Sequence, residues 1–397
     1  LFPLFSFSEL FEDLGDKEAE VRQAAARALR CMATPAEEDR ILQRLTEGPL
    51  DGKARAALTE ALDRIGTEKS LPYLLKRASE GDAAAAWAVA RRGGPEAEDA
   101  LVKGFARNGS LEFMLSLDRV KTTKCGPFVP RLCQQFASVI RAGRGEEIRY
   151  PPSPARRVAS NLIRRSDRAD ELVDLILREM EGKGDDAAIP VDLKPLFDSL
   201  RQLLKPEFVR EGLSGLDCLL GAFHDVADDP SIAPRLVPLL RSPVLLVRIY
   251  AALTLGKLRV TEAAGPILAV IHEGYSFPDS TSAVSGKHTV EFRVEDGKRQ
   301  RQSHTVRWLG YYCVALGHIG ADDCRQALET LAANPDLPRD VRYGSVVGLG
   351  WIGSPASLPA LKQVAEGDLI WLIRDTAKRA AADIEIARKN GGLKIEN

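Results

Sequence analysis

The chain has 397 residues, 45% hydrophobic and 28% charged, with Lys+Arg 55 against Asp+Glu 56 and a formal net charge of -1. That balance argues against a whole-molecule nucleic-acid binder, and an ordinary apolar fraction without low-complexity tracts argues against disorder. No apolar run reaches the roughly eighteen residues of a membrane span; the best candidate, 243–255, is broken by Arg248.

In chain order, the first segment is Leu1-Phe2-Pro3-Leu4-Phe5-Ser6-Phe7, aromatic and without an initiator Met. It lacks the basic start of a signal peptide and is expected to cap the first structural unit or to mark a processed or truncated form. Then a motif recurs. Val21-Arg22-Gln23-Ala24-Ala25-Ala26-Arg27-Ala28-Leu29 returns as Ala54–Leu62, with the anchor leucines Leu29 and Leu62 33 residues apart. Further copies are Val247–Gly256, Cys313–Gly320 and Val341–Gly350, with Leu316 again 33 before Leu349, and a last copy surrounds Arg374. Short second apolar segments follow several copies, at 71–75, 264–268 and 358–361. Two helices per ~33 residues, joined by Gly/Pro/Asp turns, predict an αα solenoid. Val247, Ala251, Leu255 and Leu258 make one helical stripe, and Val341, Ser345, Leu349 and Ile352 occupy the same places; each stripe needs its neighbour to cover it.

Three stretches break the rhythm. Residues 142–155 carry Pro151, Pro152 and Pro154, and 181–195 are glycine- and acid-rich; both predict loops. Between His272 and Arg307, His288–Val294 alternates, Asp296-Gly297 offers a type I′ turn, and a polar run follows to Thr305, which predicts a β-hairpin arm over 274–305. A hairpin folded back over a neighbouring helix pair is the alternative to a contact arm. The expected fold is therefore all-α, an αα-superhelix with one inserted β-hairpin. It is expected as a single array of about nine or ten helix pairs over residues 1–397, degenerate over 106–242.

The Val-Arg-x-x-Ala-Ala block, together with an Asp-to-Arg spacing of six at Asp16–Arg22, Asp336–Arg342 and Asp368–Arg374, resembles the HEAT repeat, in particular the HEAT-like form of phycobilisome lyase subunits. The resemblance covers 8–105 and 243–390. It implies a binding surface rather than a catalyst, since such arrays mostly serve as scaffolds. The aspartate of each spacing can cap the incoming helix and draw an arginine from its own or the next repeat into a ladder.

Candidate contact residues cluster late. Trp308, Tyr311, Tyr312, Tyr343, Trp351 and Trp371 fall near Arg342 and Arg374, and the anchor-leucine alignment puts Arg64, Lys257, His318 and Trp351 at one position near a helix end. The expected protein- or peptide-binding set is Arg342, Tyr343, Trp351, Trp371, Arg374 and His318, with Lys298, Arg299 and Arg301 from the arm; extra core filling is the competing reading. Residues 141–168 hold eight arginines against three acids, and Arg156, Arg157, Arg164 and Arg168 share one helix face. That stripe is the alternative site, for phosphate or an acidic ligand, as in HEAT-like DNA glycosylases; a solvated face paired with Asp170, Glu171 and Asp174 is the plainer account. Nucleic acid is disfavoured because only Tyr150 interleaves.

No catalytic constellation, cofactor motif or metal set is written here. His272-Glu273 is the lone His-Glu pair, whereas the HEAT-repeat enzyme deoxyhypusine hydroxylase needs several, and His288 with His304 lacks a third ligand. A bilin-lyase-like activity rests on repeat type alone. The six cysteines have no CxxC pair and read as buried side chains in a reducing, cytoplasmic setting. The expected molecule is a monomeric non-enzymatic scaffold without cofactor.

Overall fold

The structure, a computed structural model, describes residues 6–47, 50–136, 154–204, 218–273, 289–295, 298–304 and 309–389. The chain forms two compact units, Leu1–Leu132 with Ser153–Ala169, and Cys133–Pro152 with Asp170–Asn397.

The first unit holds α1 (Phe7–Asp13), α2 (Ala19–Met32), α3 (Glu38–Glu47), α4 (Gly52–Ile65), α5 (Leu71–Ser79), α6 (Ala83–Arg92), α7 (Pro95–Arg107), α8 (Leu111–Arg119), the short α9 (Val129–Cys133) that runs to the unit boundary, and α10 (Pro154–Arg165). Helices α2, α4, α6, α8 and α10 pack side by side in that order, while α5 and α7 pack on each other and against α6. Local chemistry sets the helix starts. Asp51 accepts hydrogen bonds from the Lys53 and Ala54 amides at 3.1 and 3.0 Å, and Asp82 does the same for Ala84 and Ala85. Gly93 and Gly94 take φ of 73° and 95°, a reversal only glycine makes easily, and Pro95 then opens α7. In α6, Ala85, Ala86, Ala88, Val89 and Ala90 are all buried, so small side chains let its neighbours approach closely.

The second unit holds α11 (Ala169–Met180, entering the unit at Asp170), α12 (Lys194–Leu203), α13 (Cys218–Val226), α14 (Ala233–Leu239), α15 (Leu245–Lys257), α16 (Ala264–Glu273), α17 (Gly310–Ile319), α18 (Asp322–Ala333), α19 (Arg339–Ile352), α20 (Leu358–Gly367) and α21 (Trp371–Lys389). Its main layer is α13, α15, α17, α19 and α21; α14, α16, α18 and α20 pack on it from behind. The stripes read from the sequence are its core: Val247, Ala251, Leu255, Val341, Ser345 and Leu349 are all buried. Glycines make the layer tight. Gly317 faces the backbone of Gly348, Gly344 faces that of Gly310, and Gly256 faces Ala315. These contacts also fix a parallel register between α17 and α19.

The loop between α11 and α12 is clamped by ions. Arg235 bridges Asp174 and Glu181, both at 2.7 Å, and Arg201 meets Glu179 at 2.6 Å and also pairs with Asp186. Residues 142–153 lie outside the described residues, and Pro154 and Ala155, expected in that loop, already belong to α10.

The expected fold class needs one correction. The fold is all-helical, and the inserted β-hairpin written into that class is withdrawn as an element of the architecture. Pairing of β1 (Thr289–Glu295) with β2 (Lys298–His304) is confined to those two segments, as a two-stranded ribbon that adds no layer to the helical packing. The physical reason lies in β2: Lys-Arg-Gln-Arg-Gln-Ser-His has no apolar face to bury, and an isolated two-stranded ribbon is marginal in water. The remaining arm residues, 274–288, 296–297 and 305, lie outside the described residues, and His304 pairs with Thr289 rather than with His288.

The Asp-to-Arg spacing has a clear structural meaning at two of its three places; at the third, Pro338 has no amide to give to Asp336, and Arg342 donates to the Leu337 carbonyl instead. The aspartate side chain accepts the amide two residues on, at 2.7 Å for both Asp16–Glu18 and Asp368–Ile370, and its carbonyl accepts the arginine six residues on, at 2.7 Å for both Arg22 and Arg374. Ser242 and Arg248 repeat the pattern. The arginine then reaches the next repeat: Arg22 pairs with Asp51 at 3.3 Å, and Arg342 with Asp368.

Burial also decides thiol reactivity. Cys125 and Cys313 are fully buried, which pushes both thiols up to about 12, whereas Cys31 is exposed. Iodoacetamide at neutral pH should therefore label Cys31 in the folded protein and reach Cys125 and Cys313 only after denaturation, as read by peptide mass spectrometry.

Candidate partner-binding surface

Two residues after the anchor leucine, earlier repeats place a cation on the end of the preceding helix. Arg64 donates to the carbonyls of Arg30 at 3.1 Å and Ala33 at 2.6 Å, at the end of α2. Lys257 donates to those of His224, Asp225 and Ala227 at 2.8, 2.6 and 2.6 Å, at the end of α13. Both positions satisfy orphan carbonyls and the negative end of the helix dipole. The repeats of α17 and α19 break the pattern. Here the equivalent residues are His318 and Trp351, whose rings stack at 4.7 Å between centroids.

This pair is the best-formed contact candidate among the described residues of the second unit. Trp351 is 48% exposed at the end of α19, and His318 is half-buried beneath it. Burial, helped by the nearby Arg259, pushes the His318 imidazole down from its ordinary 6.5 to about 4. The folded state thus holds a neutral ring, and the unfolded chain takes up the proton first. This contribution to stability is full above about pH 6.5 and is lost as pH falls toward 4. The urea midpoint of the wild type should fall more steeply over that window than that of His318→Gln; equal slopes would contradict the assignment.

The other expected contact residues separate. Arg342 and Tyr343 are only 5% and 4% exposed: the first is held by Asp368 and the Leu337 carbonyl, and the second sits in the packed layer. Trp371 is 66% exposed but lies at the opposite end of the layer from Trp351. Gly350 abuts Ala380, so Trp371, nine residues earlier in α21, is about 13 Å along the helix from that level. Arg374 stays near Trp371, bound to the Asp368 carbonyl. No single groove collects Trp351, Trp371, Arg342 and Arg374. The side chains of Lys298, Arg299 and Arg301, and all of Trp308, lie outside the described residues.

In the first unit, α10 carries Arg157 and Arg164 exposed and Arg156 half-buried, with Val158, Ala159 and Leu162 buried on the other side; Arg168, expected on the same helix face, lies in the turn beyond the end of α10 at Arg165. Arg168 donates to the Gly126 carbonyl at 3.3 Å, and Arg165 pairs with Asp118 at 2.6 Å. Arg141, Arg144, Arg149 and Tyr150 lie outside the described residues. Asp174, a suggested partner for the stripe, is taken by Arg178 and Arg235.

Sequence reasoning missed Trp87. It is 40% exposed on α6, with the Arg119 guanidinium 5.8 Å from its ring centroid. The signal was available: Trp87 is the one large residue in Ala-Ala-Ala-Ala-Trp-Ala-Val-Ala, and it stands off the stripe formed by Ala85, Ala86 and Val89.

Among the described residues no group of three or more His, Cys, Asp or Glu could hold a metal, and no helix is long and apolar enough to cross a membrane. Comparison with curated proteins finds no match. A family model for HEAT repeats matches residues 300–382, the stretch that contains α17 to α20 and part of α21. The Arg–Asp latches and stacked helix pairs agree with that match, which places HEAT repeats in residues 300–382.

Proposed function

We propose that this protein is a non-enzymatic scaffold that binds a protein or peptide partner, with the Trp351–His318 ring pair as an anchor. HEAT repeats generally serve as protein-interaction scaffolds, which supports the coarse reading. The observation that carries the finer one is the ring pair itself. A tryptophan 48% exposed replaces a helix-capping cation at the end of the layer, where its apolar area has water to lose on contact. Tryptophan dominates interface energetics because a rigid ring buries much area at small entropic cost.

The test is quantitative affinity isolation with the full chain, followed by titration of the recovered protein in purified form. Trp351→Ala should weaken that purified interaction at least tenfold, whereas Arg379→Glu, on the exposed side of α21, should leave it unchanged. Equal affinity for wild type and Trp351→Ala would refute the anchor.

A further inference from the structure

The first unit carries a second surface of different chemistry, on the side of α2, α4, α6, α8 and α10 turned away from α5 and α7. Its helices are laced in series. Arg30 of α2 meets Glu60 of α4 at 2.8 Å, Asp63 of α4 meets Arg91 of α6 at 3.2 Å, Arg119 of α8 lies over Trp87 of α6, and Asp118 of α8 meets Arg165 of α10 at 2.6 Å. Of the side chains these helices leave uncovered, Arg27, Glu60 and Trp87 are exposed and Leu115 and Asn161 half-buried, one from each helix. Each of the carboxylates Glu60, Asp63 and Asp118 is answered by an arginine from a neighbouring helix. Arg27, Arg119 and Arg157 add positive charge and make no ion pair among the described residues. Arg27, Arg30, Arg91, Arg119, Arg157 and Arg165 thus outnumber Glu60, Asp63 and Asp118 in this ladder, even with the exposed Glu20 and Glu112 added, and an exposed aromatic is flanked by Arg91 and Arg119.

We propose that this face binds an extended acidic peptide segment carrying an apolar anchor, with the anchor against Trp87 and Leu115 and the peptide carboxylates on Arg119 and Arg157. Four interaxial steps of about 8–10 Å give a track of about 32–40 Å, the reach of roughly ten to twelve residues of extended chain. A peptide fits better than a nucleic-acid strand. The carboxylates interspersed along the track, Glu20, Glu60, Asp63, Glu112 and Asp118, oppose a continuous phosphate backbone, whereas a peptide can space its acids to meet the arginines. Arginine and tryptophan are also the residue types that dominate peptide recognition.

The surface is separate from Trp351 and stands or falls apart from that anchor. The probe is a fluorescein-labelled twelve-residue peptide of glutamates flanking a central Phe-Leu pair, titrated into the full chain by anisotropy at low salt. Binding should weaken at least tenfold on Trp87→Ala, on Arg119→Glu and on replacing the peptide glutamates by glutamine. The milder Arg119→Gln should lose less than Arg119→Glu. Arg379→Glu and Trp351→Ala should leave binding intact, and all variants should keep the wild-type circular dichroism. Absence of binding, equal binding by the Trp87 and Arg119 variants, loss on Trp351→Ala, or tighter binding of a twelve-nucleotide single strand would overturn the proposal.

Discussion

Replacing Asp368 by alanine should cost about 3–5 kcal/mol of stability, read as a fall in the urea midpoint at unchanged slope. Both partners of the Arg342–Asp368 pair are almost fully buried, with side chains 6% and 5% exposed. Removing the carboxylate leaves a largely buried guanidinium with the Leu337 carbonyl, at 3.2 Å, in place of its charged partner. The same substitution removes the side chain that accepts the Ile370 amide ahead of α21, so the cost falls on the junction of two repeats at once. The corresponding pair in the first unit is weaker. Arg22 and Asp51 are 22% and 24% exposed, and the ion pair itself should contribute no more than about 1 kcal/mol. A double-mutant cycle on each pair separates the pairwise energy from the cap and backbone bonds. A coupling at 342–368 no larger than that at 22–51 would contradict the burial argument.

Gly317→Val should be the next most damaging change, at about 3 kcal/mol. A Cβ at position 317 would overlap the backbone of Gly348, and backbone cannot rotate away as a side chain can. The helices α17 and α19 would have to separate, and the buried stripe through Leu316 and Leu349 would lose contact along its length. Gly265→Ala is the contrasting case. Its Cβ would meet nothing within 4 Å, and within α16 the exchange should stabilise by about 0.5–1 kcal/mol. Thermal melts of the two variants should shift in opposite directions; a neutral Gly317→Val would mean that the close approach does not hold the layer together.

Repeat identity was legible because it is local. The Val-Arg-x-x-Ala-Ala block sets the buried stripe, and the Asp-to-Arg spacing of six predicted a capping and latching pattern that the hydrogen bonds at Asp16, Arg22, Asp368 and Arg374 display. The alignment also found the special position at His318 and Trp351, since a place that accepts Arg, Lys, His and Trp has to lie near a helix end with room for a long side chain. Exposure was the harder inference. Arg342 looked like a surface cation, but its partner belongs to the following repeat, and only packing shows that the pair is buried. Grouping Trp351 with Trp371 failed for a related reason. Closeness in sequence says nothing about which end of a 14-residue helix a side chain occupies. The hairpin was over-read: alternation in Thr289–Glu295 and an Asp-Gly turn fit a strand pair, but the polar second strand has nothing to bury, so it forms no part of the architecture.

A partner docked as proposed covers the layer of α17 and α19 at the end where Trp351 stands, away from the covering helices α18 and α20. Hydrogen–deuterium exchange of the full chain, alone and saturated with the purified partner, distinguishes that end from the covering helices. Exchange should slow in peptides covering the ends of α17 and α19, around residues 316–321 and 349–354, with α18 and α20 unchanged. Slowing confined to α18 and α20, with the Trp351 end exchanging as in the free protein, would contradict that placement.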